Sequence, residues 1–123
     1  MKFYSKIVRF TQDALYFLTE EDCKFVFIFN DGAPEELAEI SIVHTVSPVN
    51  EELAVGDLMI ICNKVYTITA IGDEARHTLR EMGHCTLCFK GGSVAERPGM
   101  IMLEGESDLM PEDVFVGGTI EIH

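Results

Sequence analysis

Turn-forming residues punctuate this chain so regularly that few stretches are long enough to form a helix. Asn30-Asp31-Gly32, Gly56-Asp57, Asn63-Lys64, Gly91-Gly92, Pro98-Gly99 and Gly117-Gly118 each interrupt the sequence beside short runs rich in β-branched and aromatic residues. Those runs occupy 3–10 (FYSKIVRF), 24–30 (KFVFIFN), 40–46, 58–62 (LMIIC), 65–71 (VYTITAI), 85–90 (CTLCFK), 100–104 (MIMLE) and 119–122. Short strands joined by tight turns must bury one face against other strands, which leaves a sandwich or a barrel.

Two segments break the pattern with helical chemistry. In PEELAE, Pro34 stands at the first helical position, where its missing N–H costs nothing, and Glu35 and Glu36 sit where the helix dipole favours anions. It has room for a turn or two. From 73 to 82 (DEARHTLREM), Asp73 reads as the N-cap, Ala75, Leu79 and Met82 as an apolar stripe, and Gly83 as the C-terminal cap. No repeat, linker or low-complexity tract divides the 123 residues, so the expectation is a single domain over 1–123.

Charge narrows the range of partners. With 21 acidic against 9 basic residues the formal charge is −12, which opposes binding to nucleic acid or to an anionic membrane surface. Such a surface suits solubility or attraction to a basic protein. The opening MKFYSKIVRF has Lys6 and Arg9 spread through it and lacks the apolar core of a signal peptide. No apolar run approaches the roughly 20 residues of a membrane span. The natural expectation is a cytoplasmic protein. Cys23, Cys62, Cys85 and Cys88 lie in or beside apolar stretches, where a reduced thiol behaves as a small hydrophobe.

Candidate chemistry gathers around histidines. In EISIVHTVSP, residues 39–48, His44 is the only ionisable group between Ile40 and Val46. Strand alternation puts it on one face with Ile40, Ile42 and Val46, and places Ser41, Val43 and Thr45 on the other. A core histidine and a nucleophile in a partly dry pocket both fit this pattern. His84 also has apolar neighbours. The GHCTLC run offers His84, Cys85 and Cys88 as metal ligands, but in a strand residues three apart face opposite ways, and no fourth ligand is evident. His77 shares its helix with Arg76 and Arg80 and is expected to face solvent; His123 is the last residue. No GxSxG and no GxxxxGK[ST] is present.

The run TLREMGHCTLCFKGGSVAERPGMIMLEG, residues 78–105, together with DGAPEELAEISIVH and VYTITAIG in the same order, resembles the glucitol (sorbitol)-specific IIA components of the bacterial phosphoenolpyruvate-dependent sugar phosphotransferase system. The similarity covers nearly the whole chain and is thinnest over 1–25. It implies a mainly β fold, a small closed or nearly closed β-barrel with one or two short helices. It also implies a phosphoryl carrier, which accepts phosphate on a histidine from the phosphocarrier HPr and passes it to the sorbitol-specific IIB component, serving hexitol uptake through the IIB/IIC transporter. The acceptor histidine follows the Pro-Glu-Glu-Leu turn and the apolar strand, which is His44 here. The Gly-His pair likewise implies a supporting place for His84. Just past His44 the enteric members of the family carry a further histidine where this chain has TVSP, so a mechanism using two histidines in that loop is not supported.

The implied scheme calls on no metal or cofactor: one P–N bond replaces another, with catalysis resting on in-line positioning and on donors such as backbone N–H groups, Thr45 or His84. Two rival readings stand beside it. One is a non-catalytic regulatory or scaffold barrel with a structural histidine; the other is a metal-binding module using His84, Cys85 and Cys88.

Overall fold

The computed structural model describes residues 1–123. Eight strands are formed: β1 (Phe3–Arg9), β2 (Phe25–Asn30), β3 (Ser41–His44), β4 (Leu58–Ile61), β5 (Lys64–Ile71), β6 (Cys85–Cys88), β7 (Met100–Glu104) and β8 (Thr119–Ile122). They close into one barrel in the order β1-β3-β2-β6-β7-β5-β4-β8, with β8 returning antiparallel onto β1. The fold is therefore the barrel and not the sandwich. Closure gives every strand two neighbours and leaves no free sheet edge.

Two neighbouring pairs run parallel, β2 with β3 and β6 with β7, while the others are antiparallel. A parallel pair needs a crossover, and the β2–β3 crossover carries α2 (Glu35–Ala38). Packed on β3, α2 covers its outer face; α3 (Ala75–Met82) does the same for β6. This explains why β3 and β6 are buried at all four of their positions, whereas β1 alternates buried Phe3, Ser5 and Ile7 with exposed Tyr4 and Lys6.

Three details differ from the sequence-based expectation. Pro34 is the N-cap of α2 and not its first residue, with an extended ψ of 142°. α3 starts at Ala75 behind Glu74, not behind Asp73, and neither side chain caps it. The backbone does that work, because the Glu74 N–H bonds to the Pro98 carbonyl and the Ala75 N–H to that of Gly72. Met82 leaves the stripe formed by buried Ala75 and Leu79 and is 40% exposed. Between β1 and β2 the chain also makes α1 (Gln12–Leu15) and a 3-10 turn, Tyr16–Thr19, which bury Ala14, Leu15 and Leu18. At four residues each, such pieces owe their stability to packing and leave little periodic trace.

Inside the barrel, Ile28, Ile42, Ile68, Leu87, Ile101, Leu103 and Ile120 are each at most 1% exposed. Leu87 on β6 stands between Val26 of β2 and Ile101 of β7. Truncating it opens a cavity ringed by rigid strands. Leu87→Ala is expected to cost about 2–5 kcal/mol, read as a lower urea midpoint; a loss under about 1 kcal/mol would mean that this part of the barrel can collapse to fill the space.

Candidate functional site

His44 ends β3, where it pairs with Ile7 of β1 on one side and Asn30 of β2 on the other. Its side chain is wholly buried, 0% exposed. Nδ1 lies 2.9 Å from the Thr45 carbonyl oxygen and Nε2 lies 2.7 Å from that of Gly83. The Phe3 ring meets the imidazole edge-on, with centroids 5.9 Å apart. Burial lowers the His44 pKa from 6.5, against the opposing pull of the two carbonyls. The ring is therefore neutral at neutral pH.

A neutral imidazole has a single N–H, so only one of the two carbonyls receives a hydrogen bond. The other nitrogen keeps its lone pair. That lone pair faces a carbonyl oxygen within 2.9 Å, and the N–H opposite fixes the tautomer.

Gly83 shapes this arrangement in two ways. It terminates α3 in the left-handed conformation, φ 59° and ψ 26°. A Cβ there would also come within 2.9 Å of His44 Cε1 and collide with Asn30 Oδ1. His44, Asn30 and the α3 terminus thus converge on one bare Cα. Asn30 Oδ1 is buried and has no hydrogen-bond partner.

Next along the chain, His84 is half-buried. Its Nδ1 lies 3.0 Å from the Ile28 carbonyl, to which it donates, and its ring lies 4.6 Å from that of Phe29. His44 meets this segment through the Gly83–His84 peptide, whose carbonyl it contacts, and no hydrogen bond joins the two imidazoles. Beside the group opens a shallow cavity of about 410 Å³, whose lining includes Phe29, Asn30, Pro34, Leu37, Val46 and Met82. Val46, expected on the His44 face, is 69% exposed because β3 stops at His44; Ile40 before it is 42% exposed.

The remaining candidates lie apart. Thr45 Oγ1 accepts from the Lys6 N–H at 3.0 Å. Cys85 belongs to the main core and Cys88 to a smaller apolar cluster, and burial pushes the Cys85 thiol up to about 12. All four cysteines are unbridged, and no three His, Cys, Asp or Glu side chains gather as a metal site. His77 is exposed, and His123 Nε2 lies 3.0 Å from Glu121 Oε1.

Residues 2–121 match the family model described as the PTS system glucitol/sorbitol-specific IIA component. The chain belongs to this family. Among its relatives, the PTS system glucitol/sorbitol-specific EIIA component of Escherichia coli (strain K12) is 29% identical over 119 residues, covering 97% of this chain and 92% of that one. The protein of the same description from Shigella flexneri is 32% identical over 98 residues, covering 80% of this chain and 77% of that one. In fold, the chain is similar to the crystal structure of a PTS system IIA component from Enterococcus faecalis V583, with a TM-score of 0.75, 22% identity, and coverage of 96% of this chain and 97% of that one. As a glucitol/sorbitol IIA component it has a phosphotransferase role in general and works with other proteins of that system.

Within this IIA chain, sequence reasoning singled out His44 and His84 but saw Gly83 only as a helix cap and Asn30 only as a turn residue. The signal for Asn30 lies in the β2–α2–β3 order: a parallel pairing brings the two strand ends, and so Asn30 and His44, side by side.

Two measurements probe the geometry. Gly83→Ala is expected to lose at least about 1–2 kcal/mol from the left-handed strain alone, with further loss as Asn30 is displaced; an unchanged urea midpoint would contradict the close approach. The pH dependence follows from the lowered His44 pKa. Below 6.5 the unfolded chain takes up a proton that the folded ring refuses, so stability is full above that pH and declines as pH falls below it. Asp57 and Asp113, lowered from 3.8, titrate in a separate and more acidic window. Urea midpoints measured across pH should show the upper decline in the wild type and a flatter profile in His44→Gln; equal profiles would remove His44 as the cause.

Proposed function

We propose that this chain is the phosphoryl carrier of a sorbitol-type phosphotransferase system in the cytoplasm, taking phosphate from HPr on His44 and handing it to the sorbitol-specific IIB component of the IIB/IIC transporter. The observation that carries the reading is the neutral His44 ring, with one nitrogen unprotonated, at the position that the family resemblance implies for the acceptor; the carbonyl that this nitrogen faces has to give way as the ring is uncovered. A protonated imidazole could not attack phosphorus.

In the reaction, the lone pair of a His44 nitrogen attacks the phosphorus carried on the HPr histidine, in line with the breaking P–N bond. The electron pair of that bond returns to the donor ring. Bonds of the same kind form and break, so the step is near balance and runs in sequence to IIB. His84 takes a supporting part through the backbone. Its ring packs on Phe29 and its Nδ1–H ties it to β2, which steadies the peptide whose carbonyl His44 contacts.

The closed ring sets a condition on this scheme. At 0% exposure His44 has to be uncovered before a second protein can reach it, and the adjoining apolar cavity marks the side from which this happens. Exposed Glu35, Glu36 and Glu39 on and beside α2 give that side the charge a basic partner prefers. The same burial favours a second reading, in which His44 is a structural histidine that bridges β3 to the α3 terminus and the barrel acts as a non-catalytic regulatory domain.

One experiment separates them. The protein is mixed with phosphoenolpyruvate, Enzyme I and HPr, quenched at alkaline pH and weighed intact. The carrier reading requires one added phosphate that depends on HPr, persists in His84→Gln and is lost in His44→Gln. Loss in His84→Gln alone would transfer the acceptor role to His84. A folded wild type that gains no phosphate from HPr proven active on another acceptor would leave the structural reading.

A further inference from the structure

Between β3 and β4 the chain runs from Thr45 to Asp57 without a strand or a helix. No backbone–backbone hydrogen bond involves Val46 to Val49. Most of the segment is exposed, yet Leu53 is only 2% exposed and belongs to the main core. A single apolar anchor with few backbone bonds around it describes a unit that opens more readily than the barrel it lies on. Its fastenings are side chains. Arg76 Nε donates to the Leu53 carbonyl at 2.8 Å, and Arg80 Nη2 meets Glu52 Oε1 at 2.9 Å. Four residues apart, the two arginines lie on one face of α3 and hold the segment there as a latch. Glu52 and Arg80 are exposed, 63% and 47%, so water weakens their attraction.

The latch joins the two segments that cover His44. Nδ1 faces the carbonyl of Thr45, where the irregular segment begins, and Nε2 faces that of Gly83, which caps the helix bearing Arg76 and Arg80. Thr45 itself is tied to β1, its N–H donating to the Lys6 carbonyl and its Oγ1 accepting from the Lys6 N–H. Movement therefore starts just past it, in the unbonded stretch from Val46, and turns the Thr45–Val46 peptide with its carbonyl. Val46 also lines the cavity beside the site, so the segment lifts where the ring can be approached.

We propose that residues 46–56 form a strap that closes over His44 and is held shut by the contacts of Arg76 with Leu53 and of Arg80 with Glu52. Releasing this latch frees the strap from α3, turns the Thr45 carbonyl away from the imidazole and opens the ring from the side of the cavity. No covalent bond changes in the motion. Its use rests on the carrier reading above, since a partner protein has to reach the ring, but the motion belongs to this chain alone. Glu52 is the point of release: its exposed carboxylate, within 4.0 Å of Arg76 and 2.9 Å of Arg80, is open to a competing cation on an approaching basic protein.

The test uses diethyl pyrocarbonate, a small neutral reagent that acylates an unprotonated histidine nitrogen, with the His44 peptide followed by mass at neutral pH. Amide hydrogen exchange and the urea midpoint are measured beside it for wild type, Glu52→Gln and Arg76→Gln. Glu52→Gln should raise the acylation rate at His44 by about two- to five-fold, the shift that an exposed ion pair can hold, and Arg76→Gln by about tenfold, because a hydrogen bond from a charged donor is lost. Amides of the strap should exchange faster in step, while those of β6 and β7 keep their wild-type rates. An unchanged His44 rate in both folded variants, with or without faster exchange in the strap, would overturn the proposal. Equal acceleration in β6 and β7 would also overturn it, because the whole barrel and not the strap would then be opening. Single-turnover transfer from phosphorylated HPr separates the two readings: a wild type whose His44 shows the expected acylation pattern but takes no phosphate from active HPr would overturn the carrier and leave the strap standing.

Discussion

An imidazole with two backbone carbonyls within hydrogen-bonding distance, and only one proton to offer them, is the arrangement around which this barrel is organised. Contacts of 2.9 and 2.7 Å from Nδ1 and Nε2 would satisfy an imidazolium fully, yet complete burial penalises that charge and prevails, lowering the pKa. The outcome is a neutral ring held in place by carbonyls that cannot both be satisfied. Such a ring combines fixed orientation with one unprotonated nitrogen, whose lone pair faces a carbonyl oxygen. In a fully solvated loop the same residue would gain no such orientation.

Apart from Thr45, everything that holds the ring comes from segments far apart in sequence. Thr45 follows it on the chain, Phe3 arrives from β1, Asn30 from the end of β2, and Gly83 from the terminus of α3. The barrel brings them together through two features. The parallel register of β2 and β3 sets Asn30 against His44, and α3 packs on β6 so that its left-handed C-cap, Gly83, turns a carbonyl toward Nε2. Closure of the barrel makes both features rigid, because no edge strand is free to slip.

How much of this could be read in advance differs between elements. All eight strands are legible, since β-branched and aromatic runs between turn residues leave a local trace, and their ends are displaced by a few residues at most. The left-handed Gly83 is legible for the same reason. α1 and the 3-10 turn at Tyr16–Thr19 are not, because elements of four residues depend on packing more than on propensity. The start of α3 is not legible, because backbone carbonyls of Pro98 and Gly72, one of them distant in sequence, do the capping that the sequence assigns to a side chain.

For the site, the sequence by itself determined that His44 lies in an apolar strand, that a glycine precedes His84, and which family the pattern resembles. These depend on local order. Only the tertiary structure decided that His44 is fully covered, that its nitrogens meet Thr45 and Gly83, and that Asn30 Oδ1, buried without a partner, stands close by. The physical reason is that a strand's alternation fixes which way a side chain points but not what it meets. What it meets depends on strand order around the barrel, which arises from long-range pairing and closure and leaves no mark on any one segment.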